Sequence, residues 1–151
     1  MRILLEDISK NPSVFISLLP SDWEESLALI GKEQTANSKF YILKIDDEIC
    51  AGGIIFSETL TEMGAYKNEA NYWFSKGYLY IGYVWVPLEK RNKNYGSIWL
   101  SELLALDTTK SYWLTIEDHS LRYFYEKSGF VYKKSLLLPN GEEQLFVSKK
   151  G

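Results

Sequence analysis

A chain of 151 residues with 46% hydrophobic and 25% charged residues has the size and balance of one globular domain able to bury a core. Its formal net charge of -3 and pI near 5.3 exclude wholesale binding to nucleic acid, which needs a surplus of Lys and Arg to neutralise phosphates. Lys, Asp or Glu interrupt every apolar stretch before the roughly 20 residues of a membrane span, so no membrane partner is expected.

"MRILLEDI" reads as a short opening strand. "NPSVFISLLPSDWEESLALIGKEQ" reads as one or two helices divided by Pro20, with Asn11 or Ser13 and then Ser21 as N-cap candidates. In "KFYILKIDDEICAGGIIFSE" two β-rich runs flank Asp46-Asp47-Glu48, a hairpin signal, and Gly52-Gly53 suggests a bulge or a close backbone approach. Residues 58–76 lose strand alternation and mix acids with aromatics, so they are expected to form a loop with a short helix.

"GYLYIGYVWV" is a nearly continuous apolar run ended by Pro87, as expected of a central strand covered on both faces. From Tyr95 to Leu106 the apolar residues make a wide helical face, and "SYWLTIE" returns to strand character, completing a βαβ unit. "SLRYFYEKSGF" is a further helix closed by Gly129, and "VYKKSLLL" and "EQLFVSK" form a last hairpin across "PNGE". This order predicts a single α/β domain over residues 1–151 with a sheet of mixed direction and helices on both faces. Ligands of such sheets favour the carboxyl ends of strands near a break in order.

The stretch "VPLEKRNKNYGS" lies at such an end. The first N–H groups of a helix lack intrahelical partners and sit at the positive end of its dipole, so a diphosphate can be held there. Arg91 and Lys93 add charge, Gly96 permits close backbone approach, and Asn94 tolerates positive φ. Neither G-x-x-x-x-G-K-[ST] nor a G-x-G-x-x-G after a strand is present, which disfavours P-loop and dinucleotide folds.

"YIGYVWVPLEKRNKNYGSIWLSELL" resembles the coenzyme motif of the GNAT superfamily of acyl-CoA-dependent N-acetyltransferases, a strand ending V-x-P followed by Q/R-x-x-G-x-G/A. Val86 and Pro87 match the strand end, Arg91 the first motif position and Gly96 the last, while Asn94 replaces the usual central glycine. "LRYFYEKSGFVYKK" is similar to the later family helix that ends Y-x-x-x-G-F, with Tyr125, Gly129 and Phe130 in register. The resemblance covers most of the chain.

The resemblance implies a GNAT-like, mostly antiparallel sheet and direct transfer of an acetyl group from acetyl-CoA, as co-substrate, to a primary amine. The acceptor would be a small molecule or a peptide. Pantetheine would pair with the backbone of Tyr83, Val84, Trp85 and Val86, and the pyrophosphate would lie among Arg91, Asn92, Lys93, Asn94, Tyr95, Gly96 and Ser97. Tyr125 would donate to the departing thiolate, and Tyr72, Trp73 and Phe74 would wall the acceptor cleft.

The base is not singled out among Glu48, Glu58, Glu62, Glu69, Glu117 and Asp118. His119 reads as an exposed loop residue, Cys50 as a small buried hydrophobe inside a strand, and no metal is expected. Cys50 has no partner for an internal disulfide, and the N-terminal stretch does not combine a basic region, a long apolar run and a cleavage site, so the expected compartment is the cytoplasm. The final hairpin offers an edge through which a homodimer would form. The alternative function is an inactive GNAT-like module that binds acyl-CoA or a protein.

Overall fold

A computed structural model describes residues 2–23, 38–139 and 141–148. Among the described residues seven strands form one sheet in the order β1-β2-β3-β4-β5-β7-β6. They are β1 (Ile3–Asp7), β2 (Ser38–Ile45), β3 (Glu48–Phe56), β4 (Tyr78–Trp85), β5 (Ser111–Ile116), β6 (Phe130–Leu138) and β7 (Gly141–Ser148). Every pairing is antiparallel except β4 with β5. That single parallel pair is the predicted βαβ unit, crossed by helix α3 (Tyr95–Leu106).

The β2–β3 hairpin closes as its sequence requires. Asp46 and Asp47 both adopt positive φ, 50° and 70°, the pattern of a type I′ turn, whose twist matches that of the flanking strands. Asp46 also accepts a hydrogen bond from the Arg2 N–H at 2.8 Å, tying β1 to the turn.

The helices cover the two faces of this sheet. Helix α1 (Ser13–Ile16) and helix α2 (Lys67–Ser75) lie on one face with Phe40, Ile42, Phe56 and Trp113. Helix α3 and helix α4 (Arg122–Glu126) lie on the other with Leu43, Ile55, Leu114 and Phe146. The neighbours Gly52 and Gly53 point to opposite faces, as successive strand residues must. A Cβ at Gly52 would lie 2.4 Å from the Phe15 ring, and one at Gly53 would lie 2.5 Å from the Trp99 ring. The glycine pair therefore seats one helix on each side of β3. Trp99 is completely buried, and its indole N–H donates to the Tyr41 carbonyl at 3.0 Å, which also fixes α3 to β2.

Two local expectations are corrected. The N-cap of α1 is Pro12 and carries no side-chain cap; Ser13 is the first helical residue, and its hydroxyl donates to the Asn11 side chain instead. The short helix expected within residues 58–76 is α2, and the stretch before it is more regular than a loop, a 3-10 turn, Thr61–Tyr66, that runs directly into it. Ser21 opens a 3-10 turn, Ser21–Trp23, and the rest of that sequence-predicted helix lies outside the described residues.

Substituting alanine at Gly53 should force Trp99 from its seat and lower stability by about 1–3 kcal/mol, the usual range for an overpacked core. Urea unfolding followed by tryptophan fluorescence measures it, and an unchanged midpoint would show that α3 yields to the added methyl.

Candidate active site

Strand β4 pairs with β5 only at its beginning, where Tyr78, Leu79 and Tyr80 face Ser111, Tyr112 and Trp113. Beyond Tyr80 the two strands part. On the other side of β4, Gly52 faces Trp85 and Ile54 faces Gly82, so two steps on β3 oppose three on β4. The additional residue is a bulge, and Tyr83 adopts φ 55° there. Positive φ in a bulky residue costs on the order of 1–3 kcal/mol and persists only where its surroundings fix it. Here the Tyr83 ring packs edge-on against Trp23 at 5.4 Å and against Phe56 at 6.1 Å. Its hydroxyl donates to Glu62 at 2.7 Å.

A cleft of about 660 Å³ occupies the parting. Val84, Trp85 and Val86 form one wall, and the first turn of α3, Tyr95 to Ser97, forms another. No acidic residue stands in that turn, so the positive end of the helix faces the cleft without an internal counter-charge. Asn94 caps it in the left-handed region with φ 64°, and Asn92 is likewise left-handed with φ 66°. Asn94 thus takes the backbone that a glycine would take in the motif.

Gly96 has a packing reason to lack a side chain. A Cβ there would meet the Phe124 ring at 3.3 Å and Val86 at 3.6 Å, so the glycine lets α3 begin close against α4 and the end of β4.

The cations around the cleft differ in their availability. Lys90 is committed to Glu48 at 2.6 Å, and that bond holds the Glu48 carboxyl below the usual carboxylate range. The Arg91 guanidinium lies over the Trp85 ring at 4.4 Å, and its Nε donates to the Val86 carbonyl at 3.0 Å. Lys127, from the end of α4, also lines the cleft. Tyr125 reaches the cleft from α4 with 8% of its surface exposed. Burial pushes its phenol up to about 12, so it remains protonated at neutral pH.

Most of the coenzyme residues expected from sequence meet in this cleft. Lys93 and Tyr83 are the two that do not line it, and the Tyr83 ring stands behind Trp23, which does. Tyr72, Trp73 and Phe74 stand elsewhere. Trp73 is buried in the core with its N–H donating to Glu69 at 3.0 Å, and Phe74 packs on Trp113 at 5.5 Å. Tyr72 borders a separate groove with Lys133 and Lys134. Helical register in α2 explains this placement, because consecutive residues spread over about 100° each and only the inward ones reach the core.

Sequence reading overlooked Trp23, Leu121, Phe124 and Lys127 as cleft residues. Lys127 had a signal, being two positions after Tyr125, but Trp23 had none because its partners are far along the chain. The Cys50 thiol is buried in β3, where desolvation raises its pKa, and His119 is exposed in the 3-10 turn His119–Leu121.

No protein-family model matches the chain, and no curated protein matches it. Solved structures do. The N-acyl amino acid synthase FeeM from uncultured soil microbes matches with a TM-score of 0.70 and 13% identity, over 99% of this chain and 91% of its own. A GNAT family acetyltransferase from Elizabethkingia anophelis with acetyl-CoA bound matches with a TM-score of 0.68 and 12% identity, over 97% of both chains. Naa50 of Arabidopsis thaliana, in complex with a bisubstrate analogue, CoA-Ac-MVNAL, matches with a TM-score of 0.62 and 12% identity, over 99% of both chains. The chain has the GNAT fold, a mixed and mostly antiparallel sheet flanked by helices.

The left-handed cap yields a direct test. Asn94→Ala should cost about 1–2 kcal/mol through the αL penalty, whereas Asn94→Gly should stay within about 0.5 kcal/mol of the parent. Urea midpoints for the pair decide it, and equal loss in both would assign the cost to the Asn side chain instead of the backbone.

Proposed function

We propose that this protein is an acyl-CoA-dependent N-acyltransferase that moves an acetyl group from acetyl-CoA to a primary amine by direct attack. The observation that carries the reading is the coincidence, in one cleft, of a strand released from its neighbour and a helix N-terminus free of acids. The released strand suits the amide-bearing pantetheine arm, which would add to β4 as a short strand adds to a sheet edge. The first turn of α3 suits the pyrophosphate. The donor set therefore fits the co-substrate, and Asn94 in place of glycine leaves the cradle's backbone intact.

The residues of the chain divide the work of the reaction. Backbone donors near the bulge at Tyr83 would face the thioester oxygen as charge builds on it, and stabilisation of that charge often lowers the barrier of acyl transfer more than any other effect. Tyr125 remains protonated near neutrality and would donate a hydrogen bond to the sulfur as the C–S bond breaks. A buried phenol is suited to that task because water competes little for its proton.

Binding is the first consequence to measure. Calorimetric titration should show micromolar affinity for acetyl-CoA with competition by free CoA, and no binding would reject the acyltransferase reading. Gly96→Val should weaken that affinity by driving Phe124 and the first turn of α3 apart. Tyr125→Phe should leave affinity nearly unchanged and lower kcat by roughly ten-fold to a hundred-fold; full turnover in the phenylalanine variant would remove its assigned role.

A further inference from the structure

Helix α3 runs back along the sheet from the end of β4 to the start of β5. The cleft at its first turn therefore has a counterpart at its last, about 18 Å away at the usual rise per residue. Trp99, Leu100 and Leu103 bury the middle of the helix against the sheet, but its final residue, Leu106, is 57% exposed. A second cavity of about 530 Å³ opens between that last turn and the strands. Its size lies in the range of roughly 300–1,000 Å³ common to small-molecule sites, and it shares no lining residue with the coenzyme cleft.

Strand register builds the walls. Lys39 of β2 faces Ile55 of β3, and Leu79 of β4 faces Tyr112 of β5. Tyr41, two residues on from Lys39, shares their side of the sheet, the side that α3 covers. The interior is thus aliphatic and aromatic. Lys39, Ser57, Asp107 and Lys110 supply the polar lining.

These polar groups differ in what already holds them. Asp107 accepts from the Thr109 N–H at 3.0 Å and from the Thr109 hydroxyl, and those bonds keep its carboxyl below the usual carboxylate range. Among the described residues Lys39 and Lys110 form no ion pair, and the Tyr41 and Tyr112 hydroxyls form no hydrogen bond. Tyr112 is only 4% exposed. The surface it keeps includes its hydroxyl, since the enclosed polar atoms without a partner are Trp113 Nε1 and Gln144 Oε1. Buried polar groups rarely go unpartnered, so this hydroxyl calls for a partner from the cavity. Burial pushes the Tyr112 phenol up to about 12, which leaves it a neutral donor.

We propose that this cavity is a second binding site, separate from the coenzyme cleft, for a small aromatic carboxylate. The ring would lie against Ile55, Leu79 and Leu106. Its carboxylate would take charge-assisted hydrogen bonds from Lys39 and Lys110, with the Tyr112 hydroxyl as a further donor. Two lysines against one aspartate, itself bound to Thr109, leave the lining net positive. Asp107 and the carbonyl end of α3 favour a cation, so an amine on the same ring is the competing ligand. The site stands whether or not the cleft holds acetyl-CoA.

Amide NMR of the full chain, titrated with phenylacetate, phenethylamine and acetate, tests both the place and the charge. Phenylacetate should bind saturably with a Kd of about 1 mM or tighter. It should move the amides of Tyr41, Leu79, Asp107 and Tyr112 and leave those of Tyr95, Gly96 and Ser97 in place. Acetate lacks the ring and phenethylamine reverses the charge, so both should bind more weakly. Lys39→Gln combined with Lys110→Gln, at two exposed positions, should weaken phenylacetate by about ten-fold or more with an unchanged urea midpoint. Tyr112→Phe, which keeps the ring and removes the donor, should weaken it by roughly two-fold to ten-fold. Any of four results would overturn the proposal: no saturable shift, tighter binding of phenethylamine, shifts gathered at Tyr95–Ser97, or full affinity in the double lysine variant. Failure to bind acetyl-CoA would reject the acyltransferase reading and leave this site untouched.

Discussion

The parting of β4 from β5 after three paired residues is the constraint around which the other elements are arranged. A sheet interior does not ordinarily give up strand pairing, because every exposed backbone donor and acceptor must then find another partner. The bulge makes the separation local. By adding one residue to β4 opposite β3, it turns the second half of β4 away while the ladder to β3 resumes at Trp85. Tyr83 bears the resulting left-handed backbone, and contacts with Trp23, Phe56 and Glu62 hold it there. Strain of that kind survives where its surroundings over-determine it.

The positions of the helices follow from β3. Its glycine pair lets Phe15 approach from one face and Trp99 from the other, so the two layers are indexed to the same point of the same strand. Trp99 then sets where α3 begins, because the side chain of a 12-residue helix cannot be fixed at its centre without fixing its first turn. The acid-free N-terminus reaches the mouth of the cleft for this reason. Phe124 and Val86 close around Gly96 and complete the junction of α3, α4 and β4.

How much of this was legible depended on whether the information was local. The Asp46-Asp47 turn, the single βαβ crossover and the left-handed preference of Asn94 are properties of a few neighbouring residues, and all are present in the structure. The glycine pair was readable as a close approach, but the two aromatic rings that require it lie 37 and 46 positions away from Gly52 and Gly53, at Phe15 and Trp99. Tyr72, Trp73 and Phe74 do not line the cleft with Tyr125; an aromatic run reads alike as a cleft wall or as the inner face of a helix, and the register of α2 sends Trp73 to the core. Glu62 was one acid among six until folding brought it to Tyr83, 21 residues along.

Seen from its edges, the sheet is two leaves, β1 to β4 and β5 to β7, bound along a short spine at Tyr78–Tyr80 and Ser111–Trp113. Such a binding resists sliding, since parallel register is held at three positions, but offers little against opening at the far end. A molecule lodged between the leaves would be a page sewn into that spine, and its main-chain bonds would count toward the cohesion of the sheet. Occupancy and mechanical integrity are then one quantity in this architecture, and the book without its page is the looser one.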